Sequence, residues 1–287
     1  MVLLVLITIH SITAVGVIYI YPDLLEEPCA YNCLAHCSLS FVLWLNTTLN
    51  YLATVLRDPG FVTQTKKEMG AGSARVWEGY RFCSRCQQAK PPRSHHCRIC
   101  RRCVHHMDHH CPFVGNCVGR NNRRSFVLFL FWAACSLAYV LVITIILCLD
   151  RSTDIAMNVR EATERLPPLS QKSLPRYLHS VLTHNYVGIH LHAVGFLLLV
   201  GSTTFIMTFS LFLQQTWLIC HGKTTISRLQ ERRRARQKLP QLSIQTRRLQ
   251  ENVQEVFGTE PWMWCLPSWP KILQASSNQW NQPAKKV

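Results

Sequence analysis

Basic residues are absent where a secretory leader needs them: no Lys or Arg precedes the first apolar run, 2–21. That run is about as long as a membrane crossing requires, so it reads as a retained helix and not as a cleaved signal. Acidic residues are scarce, 15 Asp and Glu against 31 Lys and Arg, which leaves a formal net charge of +16. Aromatic residues are almost missing from the cysteine-rich stretch 83–117, where Phe113 stands alone. Single-stranded nucleic acid is gripped by basic residues interleaved with stacking aromatics, so this lack argues against a nucleic-acid partner. The same stretch also lacks a core of its own. Its short spacings leave room only for turns and small hairpins, and bound metal must supply the cohesion.

Apolar residues are clumped instead into four stretches, 2–21, 34–56, 126–149 and 190–213. Each can cross a hydrocarbon core of about 30 Å. The second is the most polar, with Asn46, Thr47, Thr48, Asn50 and Thr54 inside it. Such groups face other helices when they sit in lipid, so this span is expected inside a bundle. Asn46-Thr47-Thr48 matches a glycosylation sequon, but it falls within the bilayer and is set aside. Fourteen of the Lys and Arg residues lie between the second and third spans, and 12 follow the fourth. The loop around 22–33 has none, and the loop 150–189 is nearly neutral, with five basic and four acidic residues. The positive-inside rule then places both basic segments and both termini in the cytosol. Beside four spans, a run such as Arg232, Arg233, Arg234 and Arg236 reads as attraction to anionic headgroups.

Between the second and third spans the chain repeats itself at an offset of fourteen. Cys83, Cys86, His96 and Cys103 shift onto Cys97, Cys100, His110 and Cys117, and each set suits tetrahedral zinc. A rival pairing of Cys83, Cys86, Cys97 and Cys100 has ribbon-like spacing; the symmetry favours the first, but spacing alone leaves both open. A disulfide framework fits poorly in a reducing compartment. The third repeat begins at Cys111 but has Val114 where its second cysteine belongs. Cys111 is thus a thiol beside two filled sites. With His110 used as a ligand, Asp108, His109 and Cys111 remain as orienter, base and nucleophile of a thiol enzyme. His95, one repeat earlier, lacks both partners and reads as structural. Cys37, Cys135, Cys148 and Cys220 read as small apolar helix residues, and Cys29 and Cys33 as a candidate lumenal pair.

These motifs resemble the DHHC protein S-acyltransferases, also called palmitoyltransferases. The match runs through Lys90-Pro91-Pro92-Arg93, Asp108-His109-His110-Cys111-Pro112, Asn116-Cys117-Val118-Gly119 and Asn122. It extends to Asp58-Pro59-Gly60 after the second span and to Asn252 through Phe257-Gly258. The resemblance implies four helices forming a tent-shaped cavity for an acyl chain, capped by a module holding two structural zinc ions. It implies that Cys111 carries the acyl group, with Asp108 and His109 as orienter and base and His110 as ligand. One departure stands out: where the family usually has Thr-Thr-x-Glu, this chain has Thr224-Thr225-Ile226-Ser227. That puts in doubt any role of the glutamate in holding the tail against the module.

The expected fold is an all-α integral membrane protein with a cytosolic two-zinc module between helices 2 and 3. Its segments are helices 1 and 2 (1–57), a linker with the Asp-Pro-Gly turn (58–82), and the catalytic module (83–125). Helices 3 and 4 with an irregular lumenal loop (126–213) and a basic, aromatic tail (214–287) complete it. Trp262, Trp264 and Trp269 in that tail read as an interfacial belt. The expected reaction moves a long acyl group, typically palmitoyl, from acyl-CoA to protein cysteines, with Arg120, Arg123 and Arg124 contacting the CoA phosphates. A nucleophile at headgroup level reaches only cysteines near the cytosolic membrane face, so the expected partners are membrane lipids and proteins with juxtamembrane cysteines. Endoplasmic reticulum or Golgi is the compartment that family habit suggests. The alternative is a membrane zinc scaffold or chaperone of the same fold with weak or no catalysis. A RING-type ligase module is disfavoured, because its interleaved ligands need long gaps.

Overall fold

The computed structural model describes residues 1–20, 30–63, 81–150, 174–238 and 248–259. Residues 21–29 of the expected first lumenal loop, with Cys29, lie outside the described residues, as do the polar linker 64–80, the tail tryptophans and the Cys33 side chain. Six α-helices are described: α1 (Val2–Val15), α2 (Ala30–Leu56), α3 (Arg123–Asp150), α4 (Leu174–Cys220), α5 (Thr225–Arg236) and α6 (Leu249–Phe257). Six strands lie between α2 and α3: β1 (Arg81–Cys83), β2 (Gln88–Lys90), β3 (His95–Cys97), β4 (Arg102–Val104), β5 (His109–Cys111) and β6 (Asn116–Val118). The chain divides into two compact units, one of Leu4–Leu45 and Phe131–Leu211, the other of Met1–Leu3, Asn46–Leu130 and Phe212–Val287.

The first unit is helical and apolar. Ile12, Leu137 and Leu197 form its buried centre, with Val15, Val140, Ile143, Leu147 and Phe205 packed around them. Phe41, Ile146 and Leu199 point outward instead. An outward apolar surface of this kind suits lipid better than water. Three helices among the described residues are long and apolar enough to cross a membrane: Leu34–Leu56, Arg123–Leu149 and His192–Cys220. The amino-terminal apolar helix, Val2–Ile18, is shorter. It widens into a π-turn over Gly16–Ile20, beginning where glycine weakens the regular ladder.

Two expectations need correction. The segment 150–189, expected to be irregular with room for a short helix, is helical from Leu174, where a helix of 47 residues begins. Pro175 is no obstacle, because its missing N–H falls in the first helical turn, where that group has no partner anyway. The all-α expectation does not extend to the module, where the small hairpins expected from the short spacings form as three antiparallel pairs. Segments of three residues between tight turns are too short for a helix but long enough for a ladder.

The fourteen-residue repeat is legible in that backbone. Strands start at residues 81, 95 and 109, and the cysteines closing them pair as Cys83↔Gln88, Cys97↔Arg102 and Cys111↔Asn116. Gln87, Arg101 and Gly115, again fourteen apart, take left-handed φ of 51°, 55° and 61°. Each repeat is therefore one hairpin with one left-handed turn residue, which in the third repeat is a glycine. The third keeps the shape without the second cysteine.

Asp58-Pro59-Gly60 fastens the module to the end of α2. The Asp58 carboxylate accepts from the amides of Gly60 and Phe61 at 2.7 and 2.8 Å, closing a side-chain turn. The chain then runs beside β4, with Val62 N–H donating to the Cys103 carbonyl and His105 N–H to the Gly60 carbonyl, both at 2.8 Å. Asn116 and Asn122 donate to carbonyls left open at the end of α2, Arg57 at 2.8 Å and Thr54 at 3.2 Å. A Cβ on Gly119 would strike the Pro59 carbonyl and Val104, so only glycine permits this approach. Thr47, Asn50 and Thr54 are buried, as expected of a span facing protein.

Candidate active site and metal centres

The eight paired ligands come together as the repeat requires. Cys83, Cys86, His96 and Cys103 form one group and Cys97, Cys100, His110 and Cys117 the other, with the ligand atoms of each group within 4.8 Å of one another. The ribbon-like alternative is not formed. In the first group His96 Nδ1 lies 3.7, 3.1 and 3.9 Å from the sulfurs of Cys83, Cys86 and Cys103. In the second, His110 Nδ1 lies 3.7, 3.4 and 3.6 Å from those of Cys97, Cys100 and Cys117. A tetrahedron with metal–sulfur bonds of about 2.3 Å has edges of roughly 3.8 Å, and slightly shorter ones to nitrogen. Each pocket thus has the donor set and the size for one zinc-like ion. Cys111 belongs to neither.

Cys111 ends β5, and its position follows from the hairpin. Successive strand residues alternate sides, so His109 and Cys111 share one face while His110 turns to the metal group on the other. His109 Nδ1 is 2.7 Å from Asp108 Oδ2, and the ring lies close enough to the Cys111 thiol to shift its proton affinity. With Nδ1 committed to the carboxylate, Nε2 is the nitrogen left for sulfur. The imidazole edge packs on Phe126, with ring centroids 5.4 Å apart. The side chain of His109 is 28% exposed, whereas Asp108 is fully buried.

Asp108 is held more firmly than the sequence suggests. The Thr225 amide donates to Oδ1 and the Thr225 hydroxyl to Oδ2, each at 2.9 Å. Gln215 Nε2 donates to Oδ2 at 3.1 Å, and the Arg123 guanidinium lies 3.6 Å from Oδ1. Burial alone would push this carboxyl up, but the His109 hydrogen bond and the Arg123 charge hold it well below the usual carboxylate range. Burial also opposes a charged His109, yet its bonds to Asp108 and Cys111 raise it to about 9. At Cys111 burial is outweighed by the His109 bond and by the backbone N–H groups of Val114 and Phe113, so the thiol falls below its ordinary value. Asp108, His109 and Cys111 are thus arranged so that a proton can pass between sulfur and imidazole, and both shifts lean toward a thiolate facing an imidazolium.

Thr225 and Gln215 were missed as site residues. A glutamine in an apolar span is costly without a partner, and that signal could have found Gln215. Tyr51 was missed as well. It is fully buried in α2, and its hydroxyl reaches the Phe113 carbonyl at 2.9 Å and the Val2 carbonyl at 3.2 Å, bracing the turn that carries Cys111.

The three arginines expected at CoA do not act as one patch. Arg123 is buried, donating to the Lys223 carbonyl at 2.9 Å besides facing Asp108. Its place is inside the relay. Arg120 is exposed and Arg124 half-buried. The departure at Ser227 is absorbed locally. Thr224 caps α5, accepting from Ser227 N–H, while the Ser227 hydroxyl accepts from Thr224 N–H at 2.9 Å. Serine completes the reciprocal box that a glutamate at this position would otherwise close.

The DHHC palmitoyltransferase family profile matches residues 77–232. Palmitoyltransferase ZDHHC7 of Mus musculus is 34% identical over 243 residues, covering 83% of this chain and 65% of that protein. Palmitoyltransferase ZDHHC20-A of Danio rerio is 35% identical over 187 residues, 65% of this chain and 44% of its own. Probable protein S-acyltransferase 13 of Arabidopsis thaliana is 40% identical over 112 residues, 34% of this chain and 35% of that protein. The chain thus spans less than two thirds of the length of each of these relatives.

Proposed function

Since this chain belongs to the DHHC palmitoyltransferase family, we propose that it moves a long fatty acyl group from acyl-CoA to cysteines of membrane-associated proteins by way of an acyl-Cys111 intermediate. One observation carries this reading. Of the nine Cys and His residues in the paired register, Cys111 alone stands outside both metal groups, and it shares a strand face with a histidine that is hydrogen-bonded to a buried carboxylate.

The steps follow from that geometry. The Cys111 thiolate attacks the carbonyl carbon of the acyl-CoA thioester. The carbon–sulfur bond to CoA breaks, and the departing CoA thiolate takes the proton held on His109. In the second half a substrate thiol gives its proton to His109 and attacks the Cys111 thioester. The acyl group moves to the substrate, and the proton returns to the Cys111 sulfur or is shared with His109. One thioester is exchanged for another in each half, so no external energy source is needed. Asp108 fixes the His109 tautomer and stabilises its charge. Thr225, Gln215 and Arg123 keep Asp108 ionised and in place.

Cys83, Cys86, His96 and Cys103 would hold one structural zinc ion, and Cys97, Cys100, His110 and Cys117 a second. Zinc at these sites supplies folding energy that hairpins of this size lack. In this reading four spans form the membrane part, with the shorter first helix as one of them. Both termini and the module face the cytosol of endoplasmic reticulum or Golgi membranes. Arg120 and Arg124 would contact CoA phosphates, and substrates would be proteins with cysteines near the cytosolic face. Incubation with labelled palmitoyl-CoA tests the core of this. A hydroxylamine-sensitive label should appear on the wild type and vanish in Cys111→Ser; a label that persists in the variant refutes the assignment.

A further inference from the structure

We propose that Glu255 is a positioning residue for this transfer: its carboxylate clamps α6 onto the cysteine-rich module and thereby steadies the segment that orients Asp108. The inference rests on the reading given above, because it concerns the same relay.

Glu255 projects from α6 onto two module side chains that are far apart in sequence. Arg93 Nη1 and His106 Nδ1 both lie 2.9 Å from its Oε1. Arg93 precedes β3 and His106 follows β4, and both take left-handed φ, 62° and 46°. Non-glycine residues pay for that conformation, so two strained turns aimed at one carboxylate indicate a contact that shapes the module. The other Arg93 nitrogen, Nη2, donates to the Gly222 carbonyl at 3.1 Å. Asn252, one turn before Glu255 on α6, donates to the Cys220 carbonyl at 2.9 Å. Gly222 has φ of 60°, and a Cβ there would collide with the Asn252 side chain.

These contacts close a triangle. The end of α4 is tied to the module through Gly222 and to α6 through Cys220, while Glu255 ties α6 to the module. The chain leaves the triangle directly into the groups that hold the relay: the Lys223 carbonyl on Arg123, then the Thr225 amide and hydroxyl on Asp108. Charge strengthens the case. Glu255 also lies within electrostatic reach of Arg120 and Arg123, so one carboxylate serves three guanidinium groups. Removing it leaves those cations opposing one another, and Arg123 is the ion-pair partner of Asp108. Ser227, where the family usually has a glutamate, is consumed in its helix cap. Among the described residues, α6 supplies a carboxylate, Glu255, that reaches Arg93 and His106 of the module.

The test uses full-length protein in lipid nanodiscs and compares wild type, Glu255→Gln, Thr225→Val and the double variant. Three quantities are read: the first-order rate of acyl-Cys111 formation at saturating palmitoyl-CoA, the half-saturating concentration, and zinc per chain. Glu255→Gln should slow acylation about tenfold, with half-saturation and zinc content held at wild-type values. A helix-docking role unrelated to the relay would multiply with Thr225→Val, giving a loss of about a hundredfold. The clamp predicts that the double variant is about as slow as either single one, because both changes release the same carboxylate. An acylation rate within twofold of wild type for Glu255→Gln, or multiplying losses in the double variant, overturns the proposal. Should Glu255→Gln shed zinc, Arg93→Gln opens the clamp from the module side and is held to the same outcomes. A wild-type protein that forms no acyl-enzyme refutes the underlying function; an acylating wild type with an unaffected Glu255→Gln refutes the clamp alone.

Discussion

Replacing Asp108 by asparagine changes little volume but reverses half of a buried hydrogen-bond network. Oδ2 accepts from His109, Gln215 and Thr225, and Oδ1 accepts from the Thr225 amide with Arg123 beside it. An amide has one oxygen for these donors and an NH2 group that must face the rest. If the amide nitrogen meets His109, Nδ1 must become the acceptor, and the proton moves to Nε2, the nitrogen that faces Cys111. His109 then cannot take a proton from sulfur. Arg123 also loses its buried counter-charge. The lost tautomer control and charge are together worth about 3–5 kcal/mol in the transition state, a slowing on the order of 10²–10⁴. A quenched time course of acyl-enzyme formation with labelled palmitoyl-CoA measures this, alongside zinc per chain. Slow acylation with both metals retained is the expected result. A variant acylating within threefold of wild type would show that Asp108 does not govern His109, and the relay would have to be abandoned.

Three further outcomes follow from the same contacts. Thr225→Val removes the hydroxyl donor but keeps the amide donor, so acylation should slow about tenfold with the fold intact; an unchanged rate contradicts the anchoring role. Tyr51→Phe leaves the Phe113 carbonyl without the hydroxyl donor it has at 2.9 Å, and should lower stability by about 1–3 kcal/mol in thermal unfolding. His110→Ala should reduce bound zinc from two ions to one, and abolish acylation through loss of the β5–β6 hairpin, as read by elemental analysis with the acylation assay.

The two four-ligand groups were legible because a period of fourteen in ligand types becomes a period of fourteen in hairpins. Metal-ligand chemistry is local, so spacing narrowed the ligand sets to two pairings, and the fold forms the one the repeat favoured. Apolar length located α3 to within a few residues, and three of the four expected spans correspond to helices long and apolar enough to cross a membrane. The continuation of α4 back to Leu174 was not legible, because a polar helix flanked by prolines has no strong periodicity to announce it. The hidden part of the site is the part made by distant segments. Asp108 and Thr225 are 117 residues apart, and Arg93 and Glu255 are 162 apart. No spacing rule links such pairs. Arg123 shows the cost: read in sequence it was one of three basic residues suited to a phosphate, but the fold buries it against Asp108. Gln215 was closer to reach, since a polar amide in an apolar helix asks for a partner.

The most direct measurement is native mass spectrometry of the full chain after exposure to palmitoyl-CoA, followed by fragmentation to place the adduct. The account predicts two zinc ions and one thioester-linked acyl group, with that group on Cys111. An acyl group on another cysteine, a third metal on the chain, or zinc lost as Cys111 becomes acylated would contradict it.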